Sequence, residues 1–411
     1  MSGVDALVVG GGIGGLANAL ALSRKGLRVR VLERAAEFGE VGAGLQIAPN
    51  CTRILDSWGL LDEVLELGVR PENLVMRDAV DGSVLTRLDL TDARQRYGSP
   101  YVVIHRSDLH AILLRSCREA GVDLVTSVAV TGYEHLPDGA AVVHEGGREE
   151  APVVLAADGL YSVARRLISD DEPVSSAYVA YRGAIPADRV AEMDVSMTDV
   201  VVYIGPHCHF VQYPLRAGEM FNQVAVFRSP KALAGAEDWG TPDELDEAFA
   251  GTCEQVRAGL PLMWRDRWWR MYDRDPIPTW VTGRIALTGD AAHAPLQYLA
   301  QGAVMAIEDA WVLSEHVGAQ RAAGELDWDA ALASYEAVRT EHCRRVVSTA
   351  RVWGELWHLT GERREARNAL LRRRDVTDYS FVDWLYGPTA LTPDQEPPMF
   401  TPVPLEQPVV G

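Results

Sequence analysis

Six residues near the amino end, GGGIGG from Gly10 to Gly15, together with a carboxylate at Glu33, have the types and spacing to hold a dinucleotide. Gly10 permits a tight turn after a strand, Gly12 lets a pyrophosphate approach the backbone, and Gly15 lets the following helix lie close on that strand. Glu33 ends the next strand and offers its oxygens to ribose hydroxyls. Far downstream, GDAAHAPLQYLAQGA from Gly289 to Ala303 puts Asp290 just after an apolar run, where its carboxylate can bond ribityl hydroxyls. A helix then opens at Gly302 and Ala303, and its free N–H groups favour negative charge. A reduced flavin carries such charge along its N1 and C2 carbonyl edge. The first motif alone does not separate FAD from NAD; the pair of motifs implies FAD. No second GxGxxG is present, so a nicotinamide would visit rather than reside.

The other chemistry-bearing residues are His209 and Tyr213, with Val211 between them. On a strand all three share a face, and the outer two are about 13 Å apart at roughly 3.3 Å per residue. They cannot grip one atom, but they can bracket an aromatic acid. Gln297 adds an amide, which donates and accepts at once. A lone strand histidine is more often a satisfied structural one; the spacing and the sheet that carries it weigh the other way.

Residues Ala6 to Val9 read as a strand, Ile13 to Lys25 as a helix closed by Gly26, and Arg28 to Glu33 as a second strand, a βαβ unit. Ala151 to Ala157 and Arg284 to Thr288 read as further buried strands, each followed by a polar turn of the kind that binds ligands in doubly wound sheets. Between them, alternating stretches at Val200 to Ile204, His209 to Pro214 and Gln223 to Phe227 predict an antiparallel sheet. The expected architecture is α/β: a discontinuous Rossmann-like FAD-binding domain (1–174 and 276–310), an inserted antiparallel β-sheet substrate domain (175–275), C-terminal helices (311–387) and an extended proline-rich tail (388–411). The basic run from Arg363 to Arg374 is expected mainly as a solvated or subunit-facing helix surface, since charge runs usually face water.

A formal charge of −19 disfavours nucleic acid and anionic membranes as partners and leaves small molecules. Five scattered cysteines without CxxC spacing suggest neither a disulfide framework nor a metal site, which fits a cytoplasmic protein. The apolar stretch from Ala6 to Leu22 lacks a basic leader and is better explained by the glycine motif than by a signal peptide. No other uncharged stretch reaches the roughly 20 residues of a membrane span.

Three matches give the chain a resemblance to the class A flavoprotein aromatic hydroxylases: GGGIGG with Glu33, the Asp158–Gly159 turn in DGLYSVARR, and GDAAH at Gly289 to His293. The resemblance implies FAD held tightly, NADH as transient co-substrate, O2, and a hydroxylated aromatic acid as substrate, in a homodimer. It places Asp158, with Arg165, beside both FAD and the passing nicotinamide. It also places Arg106 near the pyrophosphate or ribityl chain, Ala43 and Leu45 at the flavin edge, and Ile13, Gly14, Arg34 and Val128 among the cofactor contacts. Longer matches, among them CHFVQYPLRAGEMFNQVAVF and PLQYLAQGAVMAIEDA, are to members that hydroxylate 3-hydroxybenzoate. In those members a glutamine also stands at the position of Gln297, where broader relatives carry proline.

That resemblance gives the three residues roles. Oxygen transfer to a ring carbon needs an electron-rich ring, which a phenolate supplies far better than a phenol. A phenol titrates near roughly 10, so an acceptor must assist at neutral pH. His209 is expected as that acceptor, Gln297 as the partner of the phenol oxygen, and Tyr213 as the group that orients the ring or carboxylate. His293 is expected to be structural, and Trp264, Trp268 and Trp269 to pack. A salicylate-type decarboxylating hydroxylase, a nicotinamide dehydrogenase and a noncatalytic flavin module are the competing readings.

Overall fold

The computed structural model describes residues 3–39, 42–91 and 93–387; the expected extended tail from 388 lies outside them. Four short apolar strands lie side by side and parallel in the order Ile285–Leu287, Val154–Ala156, Ala6–Val9 and Val29–Leu32. Asp123–Val125 continues the parallel set, and Val281–Thr282 closes the other edge antiparallel. Each of the four is buried almost throughout, as expected for a sheet covered on both faces. Their carboxyl ends run into Gly289, Asp158, Gly10 and Glu33 in the same order, so parallel pairing alone gathers four distant polar turns on one edge.

The helix Ile13–Arg24 is apolar nearly all round because it is sandwiched, with Leu16, Ala17, Leu20 and Ala21 all buried between the sheet and the helix Gly302–Ala322. The helix Trp328–Trp357 packs on the latter. No helix among the described residues is long and apolar enough to cross a membrane.

The second sheet has seven strands, in the order Trp269–Asp273, Val174–Pro186, Met220–Arg228, Cys208–Leu215, Asp199–Gly205, Asn73–Asp78 and Val84–Asp89. It extends beyond the segment expected for it. Its last two strands come from residues 73–89, and Asn73–Asp78 pairs parallel with Asp199–Gly205 while the other pairs are antiparallel. One face is covered by the helices Pro242–Phe249 and Glu254–Gly259, against which Tyr181, Phe210 and Phe227 pack. The opposite face looks toward the first sheet.

The basic run is solvated only in part: Arg363, Arg372 and Arg373 are exposed, whereas Arg364, Arg367 and Arg374 are tied to the protein. The helix Gly361–Arg372 lies against the sheet edge, where Arg364 Nη2 donates to Asp78 Oδ1 at 2.6 Å and Asn368 donates to the other Asp78 oxygen. Arg374 donates to the Arg87 carbonyl at 2.8 Å and Arg372 to Ser83 Oγ at 3.0 Å. Asp78, fully buried on the strand next to the edge, gives Arg364 a protein partner in place of water, while Arg372 and Arg374 reach polar atoms of the edge segment.

Candidate active site

At the strand ends, the backbone geometry accounts for the glycines. Gly10 has φ +107°, and a side-chain carbon there would stand 2.3 Å from the Ala157 carbonyl oxygen. At Gly15 the same carbon would be 1.9 Å from the Gly10 carbonyl oxygen, so helix and strand approach as closely as backbones can. Gly12 caps the helix in an extended conformation with no side-chain bond, which leaves first-turn N–H groups directed at the cavity beyond. Glu33 is pinned by Gly11 N at 2.6 Å and Ala35 N at 2.8 Å. Asp158 accepts from Val163 N at 2.8 Å and from the Tyr133 hydroxyl at 3.2 Å with one oxygen; its other oxygen is buried without a partner among the described residues.

Gly10, Gly12, Ile13, Gly14, Gly15, Glu33, Arg34, Leu45, Arg106, Val128, Asp158, Asp290, Gly302 and Ala303 all line one cavity of about 2400 Å³. Ala43 does not; it is buried, and its carbonyl accepts from Arg106 N at 3.1 Å. Asp290 is exposed to the cavity, and the helix from Gly302 begins without a side-chain cap. A glycine cradle too tight for side chains, two uncapped helix starts and an orphaned carboxylate oxygen fit the pyrophosphate, ribityl and flavin parts of FAD. Arg165 does not take the expected place beside a nicotinamide. It is fully buried, bonded to Asp171 at 2.8 and 3.0 Å and to the carbonyls of Ala291, Ala292 and Asp275, and so clamps the Asp158 turn to the Gly289 turn.

The same cavity reaches the second sheet, where His209, Val211 and Tyr213 face it from one strand. Strand register sets a row of side chains across the sheet: Arg182, Val224, Val211, Val202, Met76 and Thr86, all lining the cavity. An apolar wall with one cation at its end suits a flat aromatic anion. Among the described residues Arg182 has no carboxylate partner; its guanidinium lies 5.6 Å over the Trp269 ring. Burial lowers the Arg182 pKa, with Tyr213 opposing that and Arg106 adding to it. Tyr213 covers the backbone of Gly44, and its hydroxyl is pushed up by burial.

His209 is fully buried, its Nε2 is 3.3 Å from the Gln297 amide nitrogen, and its Nδ1 is 2.9 Å from His358 Nε2. Tyr298 and Trp357 wall it in at 5.4 and 5.1 Å between ring centres. Burial alone lowers its pKa from the usual 6.5 to about 3, so the ring is neutral at physiological pH. Since the Gln297 nitrogen donates, Nε2 is the unprotonated acceptor, and a substrate hydroxyl that takes the place of the Gln297 amide there meets a base.

The sequence reading missed Arg182 and His358. Arg182 carried a signal, a cation inside a strand whose neighbours alternate inward; His358 follows Trp357 at the end of a 30-residue helix and carried none. His293 lies in a separate buried network, its Nε2 2.7 Å from Asp309 Oδ2. Arg339 joins Asp309 and Glu308, each at 2.8 Å, and Asn50 completes Glu308 at 2.8 Å.

The FAD-binding-domain family matches residues 3–350. The chain is 38% identical to 3-hydroxybenzoate 6-hydroxylase of Polaromonas naphthalenivorans over 93% of its own length and 95% of that protein. It is 37% identical to a 3-amino-4-hydroxybenzoate 2-monooxygenase of Streptomyces platensis over 92% and 95% of the two chains. Among solved structures, Klebsiella pneumoniae HpxO complexed with FAD and uric acid superposes with a TM-score of 0.81 at 26% identity, over 95% of this chain and 97% of that one.

Proposed function

Because the chain belongs to the FAD-binding-domain family and is a flavoprotein aromatic hydroxylase, we propose that it hydroxylates 3-hydroxybenzoate para to the phenol, using NADH and O2 and releasing 2,5-dihydroxybenzoate. The observation that carries this reading is the His209–Gln297 contact at one side of an apolar wall that bears Arg182 as its cation. The ring lies against Val202, Val211, Val224 and Met76. Arg182 and Tyr213 take the carboxylate. The hydroxyl on the adjacent edge meets His209 Nε2, with Gln297 moving its amide onto the phenol oxygen.

FAD is held by the Gly10–Gly15 turn, Glu33, Arg106, Asp158, Asp290 and the helix start at Gly302, and when bound it supplies electron transfer from NADH and activation of O2. The protein contributes the rest. His209 withdraws the phenol proton, so that electron density rises at the positions ortho and para to the oxygen, and Arg182 and Tyr213 together hold the carboxylate so that one of those positions faces the cofactor. Val202, Val211 and Val224 exclude water, which would otherwise divert the activated oxygen into hydrogen peroxide.

The test is turnover of the holoenzyme with 3-hydroxybenzoate, salicylate and 4-hydroxybenzoate under air, with products separated by chromatography and NADH followed by absorbance. The expected result is 2,5-dihydroxybenzoate from the first acid alone, in step with NADH oxidation. Catechol from salicylate, or NADH oxidation without a hydroxylated product from 3-hydroxybenzoate, overturns it.

A further inference from the structure

His358 is the second contact of the buried base. Its Nε2 lies 2.9 Å from His209 Nδ1, the two rings meet edge to edge with 5.1 Å between centres and 26° between planes, and the His358 ring stacks on Tyr178 at 4.6 Å and 21°. His209 has no exposed surface, and its remaining ring nitrogen faces the substrate side at Gln297. A proton taken up at Nε2 therefore has one protein route away from the site, through Nδ1 to His358. Beyond it lies the surface: the His358 carbonyl accepts from His207 N at 3.4 Å, and the exposed His207 ring contacts Arg228 at 3.3 Å. His358 Nδ1 is buried and has no partner among the described residues.

We propose that His358 positions His209 and relays the substrate proton outward from it, a role that deepens, and rests on, the reading of His209 as the acceptor of a phenol proton. The starting tautomers follow from the contacts: Gln297 donates to His209 Nε2, so His209 carries its hydrogen on Nδ1 and donates to His358 Nε2, and His358 carries its own on Nδ1. When the substrate O–H breaks, a new N–H forms at His209 Nε2. The His209 Nδ1–H breaks, one forms at His358 Nε2, and the His358 Nδ1 proton passes to a water admitted to that nitrogen, which has no other partner among the described residues. Both rings end neutral, one proton has left, and the phenolate remains. The reverse passage protonates the product before release and restores both tautomers.

Neither ring can store the proton. Burial lowers His209 to about 3, and burial together with His209, His207, Arg367 and Arg228 lowers His358 to about 2. The other titratable groups facing the pair, Tyr178 and Tyr298, are raised by burial and cannot accept. A neutral pair that exchanges tautomers moves a proton without ever holding a net charge in this dry site.

The experiment mixes oxidised holoenzyme with 3-hydroxybenzoate without NADH and follows proton release with a pH-indicator dye in weak buffer, so no turnover is needed. Wild type is expected to release about one proton per bound ligand. His358→Phe, which keeps a ring on Tyr178, is expected to bind 3-hydroxybenzoate, as the flavin absorbance change on binding reports, but to release the proton at least about tenfold more slowly than wild type. His358→Gln can bond His209 Nδ1 but has no second site to pass a proton on, so it is expected to stay slow. A wild-type release rate in either variant overturns the relay, and a wild type that binds without releasing a proton overturns it too. If His358→Phe fails to retain FAD, His358→Gln alone decides. Wild-type formation of 2,5-dihydroxybenzoate separates failure of the relay from failure of the functional reading.

Discussion

A cation without a carboxylate partner among the described residues, at the end of an apolar wall, has an obligation to its ligand, and this gives Arg182 a kinetic signature. A hydrogen-bonded ion pair to a bound carboxylate is worth about 2–3 kcal/mol. The carboxylate is far from the bond being made, so the pair is equally strong before and during reaction. Arg182→Met is therefore expected to raise KM for the aromatic acid by roughly 30- to 150-fold while kcat changes little. Steady-state kinetics at saturating NADH measure this, and an unchanged KM would remove Arg182 from the substrate contacts. His209 predicts a different split, because its work is done on the reacting ring. In His209→Ala, FAD is expected to stay bound and the product formed per NADH oxidised to fall at least about tenfold. Wild-type coupling in that variant would refute the assignment.

Local pattern makes the four strand ends legible in the sequence, because a buried parallel strand is a short apolar run and its terminal turn must be polar or glycine. Gly10, Glu33, Asp158 and Asp290 were found on that logic and meet on one sheet edge. The face shared by His209, Val211 and Tyr213 was legible from the two-residue period of a strand. Pairing between distant segments was not. Nothing local in Asn73–Asp78 announces that it lies parallel beside Asp199–Gly205, and Arg364 reads as solvated because its partner Asp78 is 286 residues away in sequence. Arg165 shows the same limit, since its carbonyl partners belong to a turn that only the fold brings near. The Gly10–Gly15 element itself supports a test. Gly15→Ala puts a carbon into the Gly10 carbonyl, and no side chain is there to yield. Because that backbone also shapes the cofactor cradle, the variant is expected to lose about 2–4 kcal/mol of stability and most of its flavin. Denaturant midpoint and flavin absorbance per polypeptide report both; full flavin content would show that the approach is looser than the structure has it.

Across the whole molecule, buried ionisable groups pull stability in opposite directions along the pH axis. Burial opposes charge on Glu308 and Asp309, but Arg339, with His342 and His293, outweighs it, and Glu308 falls to about 2 while Asp309 is also lowered. Their stabilisation is therefore complete above the ordinary carboxylate range and is lost only as pH falls toward 2. Burial likewise opposes a charged His293, yet Asp309 holds its pKa well above 6.5, so that contribution is complete below 6.5 and is lost as pH rises through the folded value. His209 and His358 have the opposite sign. They are neutral when folded and protonate on unfolding below 6.5, so stability drains as pH falls from 6.5 toward their values of about 3 and 2. Each proton taken up costs about 1.4 kcal/mol per pH unit, or roughly 3 for the pair. The less buried His105, His207 and His316 are lowered too and add to the same limb. Stability should peak near pH 6.5 and fall on the acid side well before any carboxylate protonates. Thermal midpoints or denaturant titrations of the holoenzyme from pH 4.5 to 8 measure the limb. In His358→Phe its slope should flatten by about 1.4 kcal/mol per pH unit, the share of one histidine. Arg339→Met should instead lower the whole curve by about 3–5 kcal/mol, by leaving two carboxylates buried against one imidazolium. An acid limb equally steep with and without His358 would mean that the buried pair is already charged in the folded enzyme, and the neutral base on which the reaction depends would be lost with it.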